Sequence, residues 1–151
     1  MSLKDWLDWG WIDRHPPNAV EIQDLLEVVE RDLRDSQAGT VSEDWLFSIA
    51  YNAALQSAAA ALAAEGFRAK GEGKHRNLID SLLFTIKADD KLLRKLQAFR
   101  AKRHVGAYET AGSVSKTELR EMVALANDLA GRVKKWLNAN HPELLKNRLA
   151  T

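Results

Sequence analysis

Proline is confined to the two ends of this chain. The three prolines are Pro16, Pro17 and Pro142, so residues 18–141 contain none. Because proline removes a backbone donor and breaks the interior of a helix, its absence leaves that whole stretch free to be helical. Apolar residues recur there at steps of three and four, which is the spacing of one helix face. The sequence therefore predicts an all-α fold.

Polar capping residues divide this stretch into five predicted helices. The first begins after Asn18 and ends near Asp35, before a polar segment that contains a glycine. The second runs from about Glu43 to Glu65, and Thr40 with Glu43 has the pattern of a capping box at its start.

Three more helices are predicted after the glycine-punctuated loop 66–73. The apolar residues 78–86 mark the third helix, Asp89 caps the fourth, and Ser115 with Glu118 caps a long fifth helix. Four long helices with short connections favour an up-and-down four-helix bundle, to which the chain adds an N-terminal helix.

The prolines also indicate how the chain is divided. We assign residues 1–17 to a Trp-rich N-terminal segment, 18–141 to the helical bundle and 142–151 to a C-terminal tail. In the first segment, either a short helix docks its tryptophans on the bundle or the segment is an arm that binds a partner. The tryptophans concerned are Trp6, Trp9 and Trp11.

The alanine-rich second helix is apolar on more than one face. A helix of this kind is typically central, and alanine lets its neighbours approach closely. We expect a homodimer with the second or the fourth helix at its interface, because one bundle core would leave the extra face of the second helix uncovered. That face consists of Leu55, Ala58, Ala59 and Leu62.

The composition excludes several kinds of site. The chain has no cysteine, which excludes disulfides, thiolate catalysis and cysteine-ligated metals. The four histidines lack metal-ligand spacing, so we expect neither a metal nor another cofactor. Lys and Arg number 22 against 21 Asp and Glu, so a polyanion site must be a local cluster. The sequence G-E-G-K at 71–74 matches a phosphate loop poorly, since the expected strand and helix start are not evident.

Localisation is also constrained by the distribution of apolar residues. The first residues include acids where a signal peptide needs an apolar stretch, and the longest apolar run, Ala58–Ala64, is too short to span a bilayer. We therefore predict a cytoplasmic protein that makes no contact with membrane.

An arginine occupies the apolar stripe of the fourth predicted helix. At about 100° per residue, Arg103 lies about 20° from Leu96, with Arg100 on one side and His104 at the stripe's edge. A guanidinium placed there needs a carboxylate partner, or it must face solvent or a ligand. Both alternatives stay open: a structural clamp between helix and loop, or a binding site. The candidate partners are Glu109, Glu72 and Asp80.

The same arginine begins a motif at the end of this helix. It reads Arg103-His104-x-x-x-Tyr108-Glu109. An alanine-rich helix, a glycine and a polar loop precede it in order, at Ala50–Leu55, Gly66 and His75. This series resembles the HEPN family over about residues 42–138, and most closely the branch that ends in Arg-x-x-x-x-Tyr-Glu.

The resemblance implies a helical bundle that forms homodimers. Active members of the family are metal-independent endoribonucleases, often toxins in toxin–antitoxin or defence systems, in which arginine and histidine from two subunits face each other across a cleft. Carried onto this chain, Arg103 matches the family arginine, His104 takes the polar place after it, and Tyr108 stands where the catalytic histidine is expected. Tyrosine is a poor general base near neutral pH, so either cleavage is lost or His104 or His75 substitutes.

Two functions are therefore predicted. In the first, a dimer cleft binds RNA or a nucleotide, with an antitoxin protein as a further partner. Its catalytic candidates are Arg103, Tyr108 and His104, and its ligand-binding candidates are Arg100, Lys102, Glu109 and His75. In the second, the chain is a non-catalytic protein-interaction module, and the same residues form a structural clamp.

Overall fold

The helical elements predicted from the sequence form most of the molecule. The computed structural model describes residues 1–39, 41–108 and 112–146, with residues 104–108 described by their backbone alone. The α-helices are α1 (Leu3–Asp8), α2 (Ala19–Asp35), α3 (Glu43–Ala64), α4 (Lys74–Ser81), α5 (Asp90–Tyr108) and α6 (Lys116–Asn140). The remaining elements are the strands β1 (Ile12–Arg14) and β2 (Phe67–Ala69) and a 3-10 turn at Pro142–Leu145. With 70% helix, the all-α class is confirmed.

Three of the predicted helix starts are confirmed by their capping contacts. The Asn18 side chain accepts a hydrogen bond from the Glu21 amide at 3.0 Å, at the start of α2. The Asp89 carboxylate accepts from the Leu92 amide at 2.8 Å, at the start of α5. Ser115 and Glu118 form the reciprocal capping box that opens α6. These contacts span three residues, so the local sequence is sufficient to specify them.

The predicted start of the second helix at Glu43 is confirmed as the start of α3, but its predicted cap is wrong, and so are the bounds of the third predicted helix. Ser42, rather than Thr40, is the N-cap of α3, because it directly precedes the first helical residue and accepts from the Trp45 amide; Thr40 itself lies outside the described residues. The helix predicted at 78–86 instead occupies 74–81. Beyond it the chain follows a series of turns, in which Leu82 is fully buried and Lys87 has a positive φ of 59°. The apolar spacing of 78–86 thus reflects core contacts made partly by turns.

Helix α3 lies at the centre of the molecule, as its composition predicts. It packs against α2, α4, α5 and α6, and most of its residues are buried. By length and composition α3 would also pass as a membrane span, but 72% of its most apolar window is buried inside the fold. Burial of this kind is typical of the core helix of a globular domain.

The extra apolar face of α3 is covered within the protomer. Leu55, Ala58 and Leu62 are buried, and Ala59 is partly buried. Leu62 belongs to a small cluster with Trp6 and Ile12 of the N-terminal segment. The expectation that one chain would leave this face uncovered is therefore wrong, and the homodimer stays a prediction without that support.

The N-terminal segment docks on the rest of the fold through one tryptophan. Trp6 is only 2% exposed, and its ring meets Phe84 edge-on at 5.2 Å between centroids. Trp9 and Trp11 stay 52% and 41% exposed. Strand β1 then pairs antiparallel with β2, within the loop predicted as irregular. Two strands of three residues are too short to produce a recognisable alternation, so the sequence did not reveal this pairing.

Candidate anion-binding site

A pocket of about 450 Å³ opens where the start of α4 faces α5. Its lining residues are Tyr51 of α3, residues 71–76 around the start of α4, and Arg100 and Arg103 of α5. Four of them carry a positive charge: Lys74, Arg76, Arg100 and Arg103. Glu72 is the single carboxylate among the described lining residues. We call this cavity the basic pocket.

The start of α4 supplies one wall of the basic pocket. Its N-cap is Gly73, which makes no side-chain capping bond, and its first turn contains no acidic residue. Lys74 and Arg76 occupy that turn instead, although the N-terminus of a helix already carries a partial positive charge. Cations there are unfavourable unless an anion binds, so this turn is suited to a negatively charged ligand.

The loop before α4 connects a strand to the start of a helix, which is the structural context of a phosphate-binding loop and was not evident from the sequence. A strand, β2, ends at Ala69, and a helix begins at Lys74. Between them Gly71 has a φ of +81°, a conformation that favours glycine, and its carbonyl accepts from the Lys74 amide at 3.3 Å. The expectation that this strand and helix start are absent is wrong. The loop still differs from the G-x-x-x-x-G-K-[ST] pattern, so it is a short glycine turn before a basic helix start.

Arg103 and Tyr51 form the inner part of the pocket. Arg103 is half-buried, and its Cζ atom lies 5.7 Å from the centre of the Tyr51 ring, which is within the range of a cation–π contact. Tyr51 is 2% exposed, and within the described chain its hydroxyl has no hydrogen-bond partner. Burial raises the pKa of Tyr51 to about 12, although Arg100 and Arg103 oppose the rise. Its hydroxyl therefore stays protonated and can donate at neutral pH.

His75 lies in the first turn of α4 at the edge of the pocket. Partial burial lowers the pKa of its imidazole below 6.5, and the positive charges of Arg103, Lys74 and Arg100 lower it further. The imidazole is therefore neutral at neutral pH, with one nitrogen able to accept a proton. An anion in the pocket would offset the surrounding positive charge and raise this pKa again.

A hydrogen-bond relay ties the α5 side of the pocket to α4. The Arg100 Nε donates to Gln97 Oε1 at 2.7 Å, and Gln97 Nε2 donates to Asp80 Oδ1 at 2.9 Å and to the Arg76 carbonyl at 3.0 Å. Asp80 was one of the predicted carboxylate partners of Arg103, and in the structure it accepts a hydrogen bond from Gln97. The relay orients the Arg100 guanidinium before any ligand arrives.

The structure brings together part of the predicted site. His75, Arg100 and Arg103 line one pocket, and Glu72 lies in it as well. Lys102 is not among the lining residues, and its Nζ lies 3.3 Å from Glu118 Oε2 on α6. The side chains of His104 and Tyr108, and all of Glu109, lie outside the described residues.

Sequence analysis missed Tyr51, Lys74 and Arg76 as site residues. The available signal for the last two was the basic run Lys74-His75-Arg76 directly after a glycine turn. Tyr51 had no signal of its own, because an aromatic residue in an apolar helix is indistinguishable from core until its neighbours are known. No group of three or more His, Asp or Glu side chains in the described ranges could hold a metal ion.

The fold and the pocket define a mostly helical protein with a strongly cationic cavity suited to an anionic ligand. Comparison with known protein families, with characterised proteins and with solved structures finds no match for this chain. The resemblance to HEPN proteins therefore stays a prediction.

Proposed function

We propose that this chain is an RNA-binding protein of the HEPN-like, four-helix type, and that its basic pocket holds phosphate groups of the RNA. One observation carries the proposal: four cationic side chains and the start of α4 converge on a single cavity with one described carboxylate. The chain as a whole is nearly neutral, with a formal charge of +1. Such a concentration of charge is therefore local and not a consequence of composition.

The geometry of the arginines supports phosphate as the ligand. Guanidinium groups pair with phosphate oxygens through two parallel hydrogen bonds, and Arg100 is held in place by Gln97. Backbone amides at the start of α4 add donors of the kind that bind phosphate at helix N-termini. The neutral Tyr51 hydroxyl is one more donor at the inner wall.

The proposal is limited to binding, because Tyr108 stands where the resemblance implies a catalytic histidine. If cleavage occurs, His75 is the described residue in the pocket able to accept a proton from a ribose hydroxyl. The HEPN-like interpretation extends the proposal to a homodimer acting in a toxin–antitoxin or defence system, with an antitoxin protein as partner.

Salt-dependent binding of a short single-stranded RNA tests this function. Fluorescence anisotropy between about 50 and 200 mM salt should show affinity falling steeply, because phosphate contacts release counterions. Arg76→Ala should weaken binding and reduce the slope of log K against log salt by about one.

Arg94→Ala is the matched control, since Arg94 lies on α5, is 81% exposed and pairs with Asp90 away from the pocket. We expect it to bind RNA like the parent protein. If the parent does not bind RNA at low salt, or both variants lose the same affinity, the basic pocket is not an RNA site.

The alternative function, a helical protein-interaction module, is favoured by one observation. Trp45 at the start of α3 is 66% exposed, and Trp9 is 52% exposed. Large exposed aromatics are enriched at protein interfaces. In that case Trp45→Ala would abolish capture of a partner protein, and Arg76→Ala would not.

A further inference from the structure

A second pocket adjoins the basic pocket. It has a volume of about 260 Å³ and shares two lining residues with the basic pocket, Lys74 and His75. Aliphatic side chains of α2, α3 and α4 line it, together with the ring of Phe67 from β2 and charged residues that include Glu21 and Arg68. We call it the adjoining pocket. A ligand that passes Lys74 and His75 would reach both cavities at once.

One polar residue of the adjoining pocket, Gln56, is held in orientation by a relay of part-buried hydrogen bonds. Asn52 Nδ2 donates to Asp32 Oδ2 at 2.7 Å, and Asp32 is only 5% exposed. A carboxylate only accepts, so the Asn52 amide must face it with its nitrogen, and its oxygen accepts from Gln56 Nε2 at 3.2 Å. Gln56 lines the pocket, and because its nitrogen engages Asn52, its carbonyl oxygen is the atom of this amide that can accept from a ligand.

A hydrogen-bonded pair of side chains occupies another part of the wall. His15 Nε2 lies 2.7 Å from Glu21 Oε2, and both residues line the adjoining pocket. The cavity therefore combines apolar walls, one aromatic ring and a few polar atoms. That composition is typical of small-molecule sites, and it suits a flat heterocycle with a polar edge. The volume lies below the roughly 300–1,000 Å³ of pockets that enclose a whole drug-sized ligand, so it suits a single ring system.

We propose that the adjoining pocket is a base subsite, in which one unstacked nucleobase of the RNA inserts while its phosphate lies in the basic pocket. This inference rests on the proposed function. The base packs against apolar side chains and Phe67, and its edge donates to the Gln56 carbonyl oxygen. Lys74 and His75 lie between base and phosphate, beside the ribose. Paired bases cannot enter, so the site selects single-stranded over duplex RNA.

Removing the bases from the RNA tests the subsite on the parent protein. A short single-stranded RNA should bind at least about fivefold more tightly than an abasic ribose–phosphate chain of the same length, which is the lower end of what one stacked base contributes. Duplex RNA of that length should bind less tightly than the single strand at equal salt. If the abasic chain binds as tightly as RNA, the base subsite is wrong while phosphate binding stands.

Ala59→Leu fills the adjoining pocket from α3. Ala59 is partly exposed and lines this pocket but not the basic one. The variant should bind RNA and the abasic chain with equal affinity. Arg76→Ala should instead weaken the binding of both chains and leave the ratio of the two affinities unchanged. Ala124→Leu, at an exposed position of α6, is the control for an added side chain.

The outcomes separate the two proposals. An Ala59→Leu protein that is folded by circular dichroism and keeps the full preference for bases overturns the subsite. Failure of the parent to bind either chain at low salt overturns the proposed function instead. The comparison of RNA with the abasic chain requires no variant, so it decides the matter even if Ala59→Leu does not fold.

Discussion

The guanidinium of Arg103 lies over the ring of Tyr51, with 5.7 Å between the Arg103 Cζ atom and the ring centre. Tyr51 belongs to the central helix and Arg103 to α5, so this contact joins the core to the wall of the basic pocket. The contact bears on whether Arg103 is a buried structural clamp or a residue of the binding site. Arg103 is half-buried, packs on the core with one face and lines a cavity as well.

Replacing Arg103 should affect binding more than stability. We expect Arg103→Ala to lower the free energy of unfolding by about 1–2 kcal/mol, the range of a partly desolvated cation–π contact, and to weaken RNA binding about tenfold or more. Denaturant unfolding and anisotropy measure the two effects. A loss of about 3–5 kcal/mol with unchanged RNA affinity would instead identify a buried clamp.

Replacing Tyr51 by phenylalanine isolates the buried hydroxyl. The ring stays under Arg103, and the group removed has no hydrogen-bond partner in the described chain. An unsatisfied buried hydroxyl is destabilising, so Tyr51→Phe should leave the free energy of unfolding unchanged or raise it by about 1 kcal/mol. RNA affinity should fall, because the ligand loses a donor. If the melting temperature drops and RNA affinity does not, the hydroxyl has a structural role.

The pKa of His75 should report on the occupancy of the basic pocket. Burial and three neighbouring cations hold it below 6.5, so the unfolded chain binds a proton at this residue more readily than the folded protein does. Stability should therefore fall as the pH drops through 6.5 toward the folded pKa, below which both states are protonated and the loss is complete.

NMR titration of the imidazole signals measures this pKa, with His75→Gln as the assignment control. Adding inorganic phosphate should raise it, because the anion offsets the charges of Arg103, Lys74 and Arg100. A His75 pKa that does not change in saturating phosphate would contradict an anion in this pocket.

The tryptophans of the N-terminal segment should differ sharply in their contribution to stability. Trp6→Ala removes a side chain that is 2% exposed and should lower the free energy of unfolding by about 3–5 kcal/mol. Trp9→Ala, at 52% exposure, should change it by less than about 1 kcal/mol. Thermal melts compare the two directly. Equal effects would mean that the segment does not dock through Trp6.

Lys102 belongs to the site predicted from the sequence, but it does not line the basic pocket of the structure. Its ammonium lies 3.3 Å from the Glu118 carboxylate, and both side chains are about one-third exposed. Lys102→Ala should therefore cost no more than about 1 kcal/mol of stability and leave RNA affinity unchanged. A loss of affinity as large as that of Arg76→Ala would restore Lys102 to the binding site.

Features that depend on near neighbours along the chain follow from the amino-acid sequence alone. The caps at Asn18, Asp89 and Ser115 and the central position of α3 were all predictable, because capping acts over three residues and burial follows helical period. The position of Arg103 on the core-facing stripe of its helix could be read from the same period. None of these inferences required knowledge of which helices meet.

The surroundings of Arg103 depend on how the helices pack against one another. Lys74 and Arg76 belong to α4, and Arg100 and Arg103 to α5, so the charge of the basic pocket exists only where these helices pack. The cover of α3 by Trp6 and Ile12 likewise depends on the pairing of β1 with β2 across more than fifty residues. Such long-range contacts arise from the whole core, and no local pattern encodes them.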